Sequence, residues 1–290
     1  MRKKRAEQCW NCPVCDRNNS GQPIEPESRD GWMLKRCHDC SHVYLENPVS
    51  YEALQDEFRW AETAIREQER RRLAFPIVSA VTSAWKGFVK LAFLRNKCLT
   101  WAERYVAPGP VLDVGCGPGG LLASLPEQHT PYGIEIDAGV AKLARAKVAP
   151  RQGQILVADG PSGLSQMPDA FFSGIVMKSY LEHETSPLKV LQEARRVLKP
   201  AGRLIIKVPN YATLNRRLRG SKWPGYHFPD HVSYFDPTTL ARLVSRAGFL
   251  VERNKWIDHF PLNDNLYLMA QPREGAAINS ASPVALRKAA

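Results

Sequence analysis

Two Cys-x-x-Cys pairs, Cys12-Pro-Val-Cys15 and Cys37-His-Asp-Cys40, stand 21 residues apart near the start of a 290-residue chain. Each pair presents two thiolates from one tight turn, and Zn2+ takes four such soft ligands in a tetrahedron, so together they predict a closed, structural site. A disulfide pair or unrelated thiols are the alternative, which a reducing compartment disfavours. Cys9, His38 and His42 lie close enough to confuse the assignment, but none has the knuckle partner that the other four share. A second constellation is the run Val111-Leu-Asp113-Val-Gly115-Cys116-Gly117-Pro118-Gly119-Gly120. It follows an apolar stretch and opens a helical one, and its Gly-x-Gly-x-x-Gly at Gly115, Gly117 and Gly120 could cradle a dinucleotide. Asp113 argues otherwise, because its charge would oppose a pyrophosphate, and Pro118 lacks the N–H that a phosphate cradle wants. A ligand with cationic groups and no phosphate suits the loop better.

Histidines supply the third set. His183 follows an apolar run, and His231 lies in Trp223-Pro-Gly-Tyr226-His227-Phe-Pro-Asp230-His231-Val-Ser-Tyr-Phe235. Either imidazole can accept a proton near neutral pH, with Asp230 or Glu182 to orient it. Tyr226 and His227 are further candidates from the same stretch. The competing reading is that both imidazoles only hydrogen-bond loop backbone.

These residues need elements to hold them. Residues 111–114, 132–136, 155–157, 174–177 and 203–208 read as short buried strands, separated by helical patterns such as 138–147 and 187–198, the latter closed by the turn Lys199-Pro200-Ala-Gly202. Such alternation predicts an α/β fold, a parallel sheet covered by helices on both faces. After Pro209 a basic, aromatic and proline-rich insert runs over 210–237, followed by a helix over 238–247 and two closing strands at 249–256 and 266–270. The expected organisation is a basic tail (1–8), a zinc ribbon (9–47), a helical connector (48–108), a catalytic domain (109–271) with 210–237 as a lid, and a disordered tail (272–290). Residues 9–47 show little hydrophobic periodicity and so look like a module held by metal instead of a core.

The order of motifs resembles the class I S-adenosylmethionine-dependent methyltransferases, whose first motif is an acidic residue, one spacer and Gly-x-Gly-x-Gly. Glu135 in Gly-Ile-Glu-Ile-Asp, Asp159 in Val-Ala-Asp-Gly, the phrase Phe172-Ser-Gly-Ile-Val-Met-Lys-Ser-Tyr-Leu-Glu-His183 and the turn Arg196-Val-Leu-Lys-Pro-Ala-Gly-Arg-Leu continue it in register. Ser173 stands where the family usually has Asp. The resemblance implies a Rossmann-like seven-stranded sheet, with S-adenosylmethionine held at Asp113, Gly115, Cys116, Gly117, Gly119, Glu135, Ile136, Asp159, Gly160 and Lys178. Glu135 takes the ribose-hydroxyl role and Asp159 the adenine-amino role. The ribbon followed by His42-Val-Tyr-Leu-Glu-Asn-Pro48 is similar to the zinc-ribbon subgroup, many members of which modify sugars, lipids or secondary metabolites. The acceptor it implies is a small molecule, sugar or lipid-linked glycan, methylated through oxygen.

Charge refines the choice of partner. The composition, 44% hydrophobic and 24% charged, excludes wholesale disorder. The net charge of +11 is concentrated in residues 1–8, 86–104 and 201–222. A uniformly basic nucleic-acid-binding domain is therefore disfavoured, and the ribbon carries four bases against six acids, which weighs against an rRNA or tRNA methyltransferase. A non-catalytic binding protein with a methyltransferase fold is the other rival, and intact cofactor motifs weigh against it. Arg216, Arg217, Arg219 and Lys222 lead into the insert and are candidates to attract an anionic acceptor. The uncharged run 73–85 is 13 residues, short of the ~20 a membrane span needs. No apolar stretch follows the basic start, so a cytoplasmic protein is expected, with peripheral membrane contact through 75–95 as a further option.

Overall fold

The structure is a computed structural model that describes residues 10–49 and 96–273. The connector before residue 96, including the 75–95 stretch, together with Cys9 and both tails, lies outside the described residues. A hairpin, β1 (Leu34–Arg36) and β2 (Val43–Leu45), precedes helix α1 (Lys97–Tyr105). Then strands and helices alternate: β3 (Gly109–Val114), α2 (Gly120–Ala123), β4 (His129–Glu135), α3 (Ala138–Val148), β5 (Gln154–Val157), α4 (Gly160–Ser165), β6 (Phe172–Lys178), α5 (Pro187–Val197) and β7 (Leu198–Pro209). The chain closes with α6 (Leu214–Arg219), β8 (Ser233–Tyr234), α7 (Pro237–Arg246), β9 (Phe249–Arg253) and β10 (Asn265–Pro272).

Seven strands form one sheet in the order β5-β4-β3-β6-β7-β10-β9. β3 to β7 pair in parallel, and β10 is antiparallel to both of its neighbours. Successive side chains of a strand point to opposite faces, and apolar residues occupy both sides here. Val111, Val176, Ile205 and Met269 face α1 through Trp101 and Ala102. Their neighbours Leu112, Ile175, Leu204 and Leu268 face α5 and α7 through Val190, Leu191, Leu240 and Leu243. Short polar caps start the helices. Asp137 accepts from Val140 N at 2.9 Å, and Asp236 closes a capping box ahead of Pro237. The chain reverses direction across the sheet between β3 and β6, which leaves a crevice at their carboxyl ends, the usual ligand position in such folds.

Two boundaries differ from the sequence reading. The expected turn at 199–202 lies within β7: Leu198 pairs with Phe172 and Arg203 with Gly174, so the intervening residues bulge out without ending the strand. β9 stops at Arg253 because Trp256–Asp258 coils into a 3-10 turn.

The larger difference concerns the ribbon. β8, from the insert after β7, pairs antiparallel with β2, so the ribbon's sheet has three strands in the order β1-β2-β8. Leu34, Val43 and Leu45 pack with Tyr211, Trp223, Tyr226, Val232 and Tyr234 in an apolar cluster of their own. The module therefore does have a core, but half of it is supplied from nearly 200 residues away, which is why no periodicity within 9–47 announces it. Polar links reinforce the joint. The Arg29 guanidinium donates to the Ser221 and Tyr226 carbonyls, and Arg216 pairs with Glu27 at 3.6 Å. His42 is fully buried, stacked against Tyr44 and 4.9 Å from the Phe235 ring, and burial lowers its pKa to about 3. It is a neutral core histidine.

Candidate active site

The crevice holds two cavities on either side of the end of β6. The first, about 370 Å³, is lined by Asp113, Gly115, Cys116 and Gly117 from the glycine loop, by Asn96 and Leu99 at the start of α1, and by Lys178. The loop needs glycine where the chain turns sharply: Gly115 has φ +70° and a Cβ there would lie 2.8 Å from the Tyr180 ring. Gly119, at φ +73°, lets α2 start against the backbone of Ala144 on α3, where a Cβ would come to 3.0 Å. Asp113 ends β3 with its carboxyl 3% exposed and Oδ1 without a hydrogen-bond partner. Burial pushes that carboxyl up to about 8; Lys178 pulls against the shift and Glu135 adds to it. A buried carboxylate oxygen with nothing to accept from suits a ligand bearing positive charge, as S-adenosylmethionine does through its ammonium and sulfonium.

Glu135 and Asp159, the residues expected on the adenosine side, are each already tied to nearby backbone. Glu135 accepts from Gly117 N at 2.8 Å and from Asp137 N at 3.1 Å, so it fastens the end of β4 to the glycine loop. Asp159 caps α4, accepting from Ser162 N and Ser162 Oγ at 2.8 Å each. Ionised carboxylates have about four acceptor positions, so each retains capacity for a ribose or adenine donor. Ile136 is half-buried beside them, and Gly160 is glycine of necessity, since a Cβ would collide with the Tyr180 hydroxyl. The Cys116 thiol packs toward Gly133, and burial raises it to about 12, which leaves only its backbone to serve the site.

The second cavity, also about 370 Å³, lies between β6, β7 and the insert, where Ser179, Glu182, His183, Lys207, His227 and His231 converge. His183 sits in a 3-10 turn after β6, and its Nδ1 donates to the Asp230 carbonyl at 2.7 Å. His231 Nδ1 likewise donates to the Gly225 carbonyl at 2.9 Å. Each ring therefore keeps its Nε2 lone pair, and the rings stand 4.8 Å apart, edge to face. Burial holds both imidazoles neutral, His183 at about 4 and His231 well below its ordinary value. The carboxylate that orients an imidazole is Asp230, but its partner is His227, at 2.8 Å from Nδ1, and not His231. Glu182 is buried, and its carboxyl is pushed up to about 7 by burial, with Lys207 opposing.

Several expected contributors lie elsewhere. Tyr226 is fully buried and donates its hydroxyl to Tyr211 within the aromatic cluster. None of Arg216, Arg217, Arg219 and Lys222 lines the second cavity; Arg216 instead sits 4.0 Å over the Tyr211 ring and donates to the Tyr211 carbonyl. The cation on the cavity wall is Lys207, which donates to Ser179 Oγ at 2.7 Å. Lys207 escaped the sequence reading because it stands in a buried strand pattern. Its signal was a lysine two residues before the strand's end. Tyr180 was missed too. It walls off Gly115 and Gly160 and donates to the buried Glu184, and the clue was a pair of glycines with no turn to explain the second.

On the ribbon, Cys12, Cys15, Cys37 and Cys40 bring four Sγ atoms within 4.8 Å of one another, with Cys12–Cys40 at 3.5 Å and Cys15–Cys37 at 3.4 Å. A tetrahedral zinc–thiolate site with bonds of about 2.3 Å needs sulfurs about 3.8 Å apart, so the donor set fits. His38 turns away to Asn19, at 2.9 Å from its Oδ1.

The description "Methyltransferase domain" is the family that matches, over residues 88–254. A ubiquinone/menaquinone biosynthesis C-methyltransferase of Geobacter sulfurreducens is 32% identical over 116 residues, 38% of this chain and 44% of the relative. A ubiquinone biosynthesis O-methyltransferase of Aeromonas salmonicida is 28% identical over 175 residues, 54% of this chain and 70% of the relative. The chain thus spans less than half the length of the first relative and about two thirds of the second. Among solved structures, a chain from the complex between the Haloferax volcanii Trm112 methyltransferase activator and a methyltransferase superposes with a TM-score of 0.51 at 17% identity, covering 67% of this chain and 96% of the other, a likeness of fold.

Proposed function

The chain belongs to the Methyltransferase domain family and is an S-adenosylmethionine-dependent methyltransferase, and from that premise we propose that it methylates a hydroxyl oxygen of a small-molecule acceptor held in the histidine-lined cavity. The carrying observation is the arrangement at the end of β6, where consecutive residues serve the two cavities: Lys178 lines the cofactor side and Ser179 the acceptor side. When bound, S-adenosylmethionine supplies a methyl group already activated by its sulfonium. The residues that would hold it are Asp113, the loop backbone at Gly115–Gly119, Glu135, Ile136, Asp159, Gly160 and Lys178.

What remains for the protein is to align the acceptor oxygen, exclude water and take a proton. His183 and His231, fixed through Nδ1, line the cavity and set the position of the acceptor oxygen. His227, held through Nδ1 by the buried Asp230 carboxylate, is the proton acceptor, because that contact fixes the orientation of its ring beside the cavity. Oxygen is favoured over carbon by this supply of bases and by the broader match to the O-methyltransferase relative. A small acceptor is favoured over nucleic acid because Arg29, Lys35 and Arg36 of the ribbon are already engaged, with carbonyls and with Glu46 and Glu25. Zn2+ at Cys12, Cys15, Cys37 and Cys40 is structural: four thiolates leave no open position, and the site anchors the β1-β2-β8 sheet.

The test is transfer of label from S-adenosylmethionine into fractions of a lysate lacking the protein. Label in a small-molecule fraction as a methoxy group is the expected result. Label in RNA, or in a C-methyl product, would overturn the reading.

A further inference from the structure

We propose that Glu182, His183 and His231 form a second metal site, one that takes a divalent first-row cation and presents it to an acceptor bearing two adjacent oxygen donors. The inference rests on the methyltransferase reading and names the acceptor class for the same cavity. Three ligand atoms, a Glu182 carboxylate oxygen and one ring nitrogen from each histidine, lie within 4.8 Å of one another. The nitrogens that would ligate are the two Nε2 atoms, since both Nδ1 atoms donate to backbone carbonyls. Metal-bound imidazoles characteristically donate their other N–H in this way, which fixes the tautomer and aims the lone pair. A cation about 2.0–2.2 Å from each donor requires donors about 3–3.5 Å apart, a contraction within reach of small side-chain rotations.

Chemistry separates this cluster from a chance grouping. Glu182 is 1% exposed, and its Oε2 has no hydrogen-bond partner, an arrangement that is costly unless a cation or donor arrives. Two imidazoles with a carboxylate are the donor set that suits Zn2+, Mn2+, Fe2+ or Co2+. Lys207, the cation on the cavity wall, donates to Ser179 Oγ at 2.7 Å. The three ligands come from the β6 turn and the insert, so the remaining coordination positions face the cavity. Vicinal oxygens, as in a catechol or an α-hydroxy ketone, can fill two of them at once. His227 and Asp230 stand outside the ligand set and keep their proton-accepting role.

The test uses the full chain loaded with one equivalent of zinc and dialysed against micromolar Co2+, with both metals counted by atomic emission and S-adenosylmethionine binding followed by calorimetry on the same samples. One zinc and one cobalt per chain are expected, the cobalt showing weak visible bands without thiolate charge transfer. His231→Ala and Glu182→Gln should each retain zinc and lose at least about tenfold in Co2+ affinity, while binding S-adenosylmethionine normally, which certifies their fold. Absence of cobalt from the wild type, cobalt bearing thiolate charge transfer, or undiminished Co2+ affinity in both variants would overturn the inference. Loss of S-adenosylmethionine binding by the wild-type protein would instead strike at the methyltransferase reading.

Discussion

The two sides of the β6 end are built from different material. On the cofactor side, one continuous stretch from Asp113 to Gly160 supplies the glycine loop, Glu135 and Asp159, each fixed by hydrogen bonds to backbone a few residues away or across one strand. On the acceptor side, Glu182 and His183 come from the β6 turn, Lys207 from β7 and His231 from an insert that is itself pinned to the ribbon through β8. The first side is a local structure; the second exists only because segments some 190 residues apart share one small sheet. A mutation should accordingly act on one side and spare the other.

Removing the metal proposed for the four-cysteine site is the strongest way to challenge this division. Structural zinc contributes about 10–16 kcal/mol of apparent binding free energy in small modules. Chelation, or Cys37→Ala, should therefore release β1 and β2, and β8 with them. Hydrogen exchange at Val43–Leu45 and at Ser233–Tyr234 should accelerate together, and methyl transfer should be abolished. S-adenosylmethionine affinity should change by less than about threefold, the order of scatter for distant, independent sites. If cofactor binding were lost in step with the ribbon, the two sides would be one cooperative unit.

The next effect is confined to chemistry. His227→Gln removes the proposed proton acceptor, which Asp230 holds at 2.8 Å, and general-base losses run to about 10²–10⁴ in kcat. The expected outcome is that loss in kcat with an unchanged S-adenosylmethionine dissociation constant. A kcat within about threefold of wild type would assign the proton to another group.

What could be read in the sequence follows the same division. The turn at the glycine loop and the strand-end positions of Glu135 and Asp159 were legible because backbone conformation and helix capping depend on near neighbours, and those demands leave residue-by-residue marks. Asp159 in particular shows both roles at once, a cap for α4 and a motif position. The pairing of Asp230 with His227 was not legible, since Asp230 lies three residues after His227 and directly before His231, and the turn admits a contact with either. Nor was the ribbon's core: Leu34, Val43 and Leu45 are too few to form a pattern, and their partners Trp223, Tyr226 and Tyr234 looked like the furnishings of a lid. Arg216 was misjudged for a related reason. Its charge was visible, but Glu27, which uses it, was remote in sequence.

On the cofactor side, Glu135→Ala should weaken S-adenosylmethionine binding by about 10- to 100-fold, since a hydrogen bond to a charged group contributes about 1.5–3 kcal/mol. The loss includes the two backbone bonds that Glu135 makes to Gly117 and Asp137, so calorimetry should also register a less favourable enthalpy. The acceptor KM should stay put. A comparable rise in acceptor KM would mean that the glycine loop sets the geometry of both cavities.

The smallest effect discriminates most finely, because it turns on a single proton. Asp113 carries its proton up to about pH 8 in the folded chain because burial penalises its charge, against an ordinary value of 3.8. The folded state thus holds a proton that the unfolded state has released, and this group's contribution to stability falls as pH rises from about 4 through about 8. A cationic ligand reverses the preference, because the ionised carboxylate is the form that meets an ammonium or sulfonium. S-adenosylmethionine affinity should consequently rise by roughly tenfold between pH 7 and pH 9 and then level off, as expected for one deprotonation. Calorimetry of Asp113→Asn should give weaker binding that is flat over the same interval. Lys178 and Glu135 act on this carboxyl in opposite directions, so Lys178→Met should move the midpoint upward and leave the amplitude in place. A rise in affinity that persisted in Asp113→Asn would transfer the proton to another group and detach the buried carboxylate from cofactor binding.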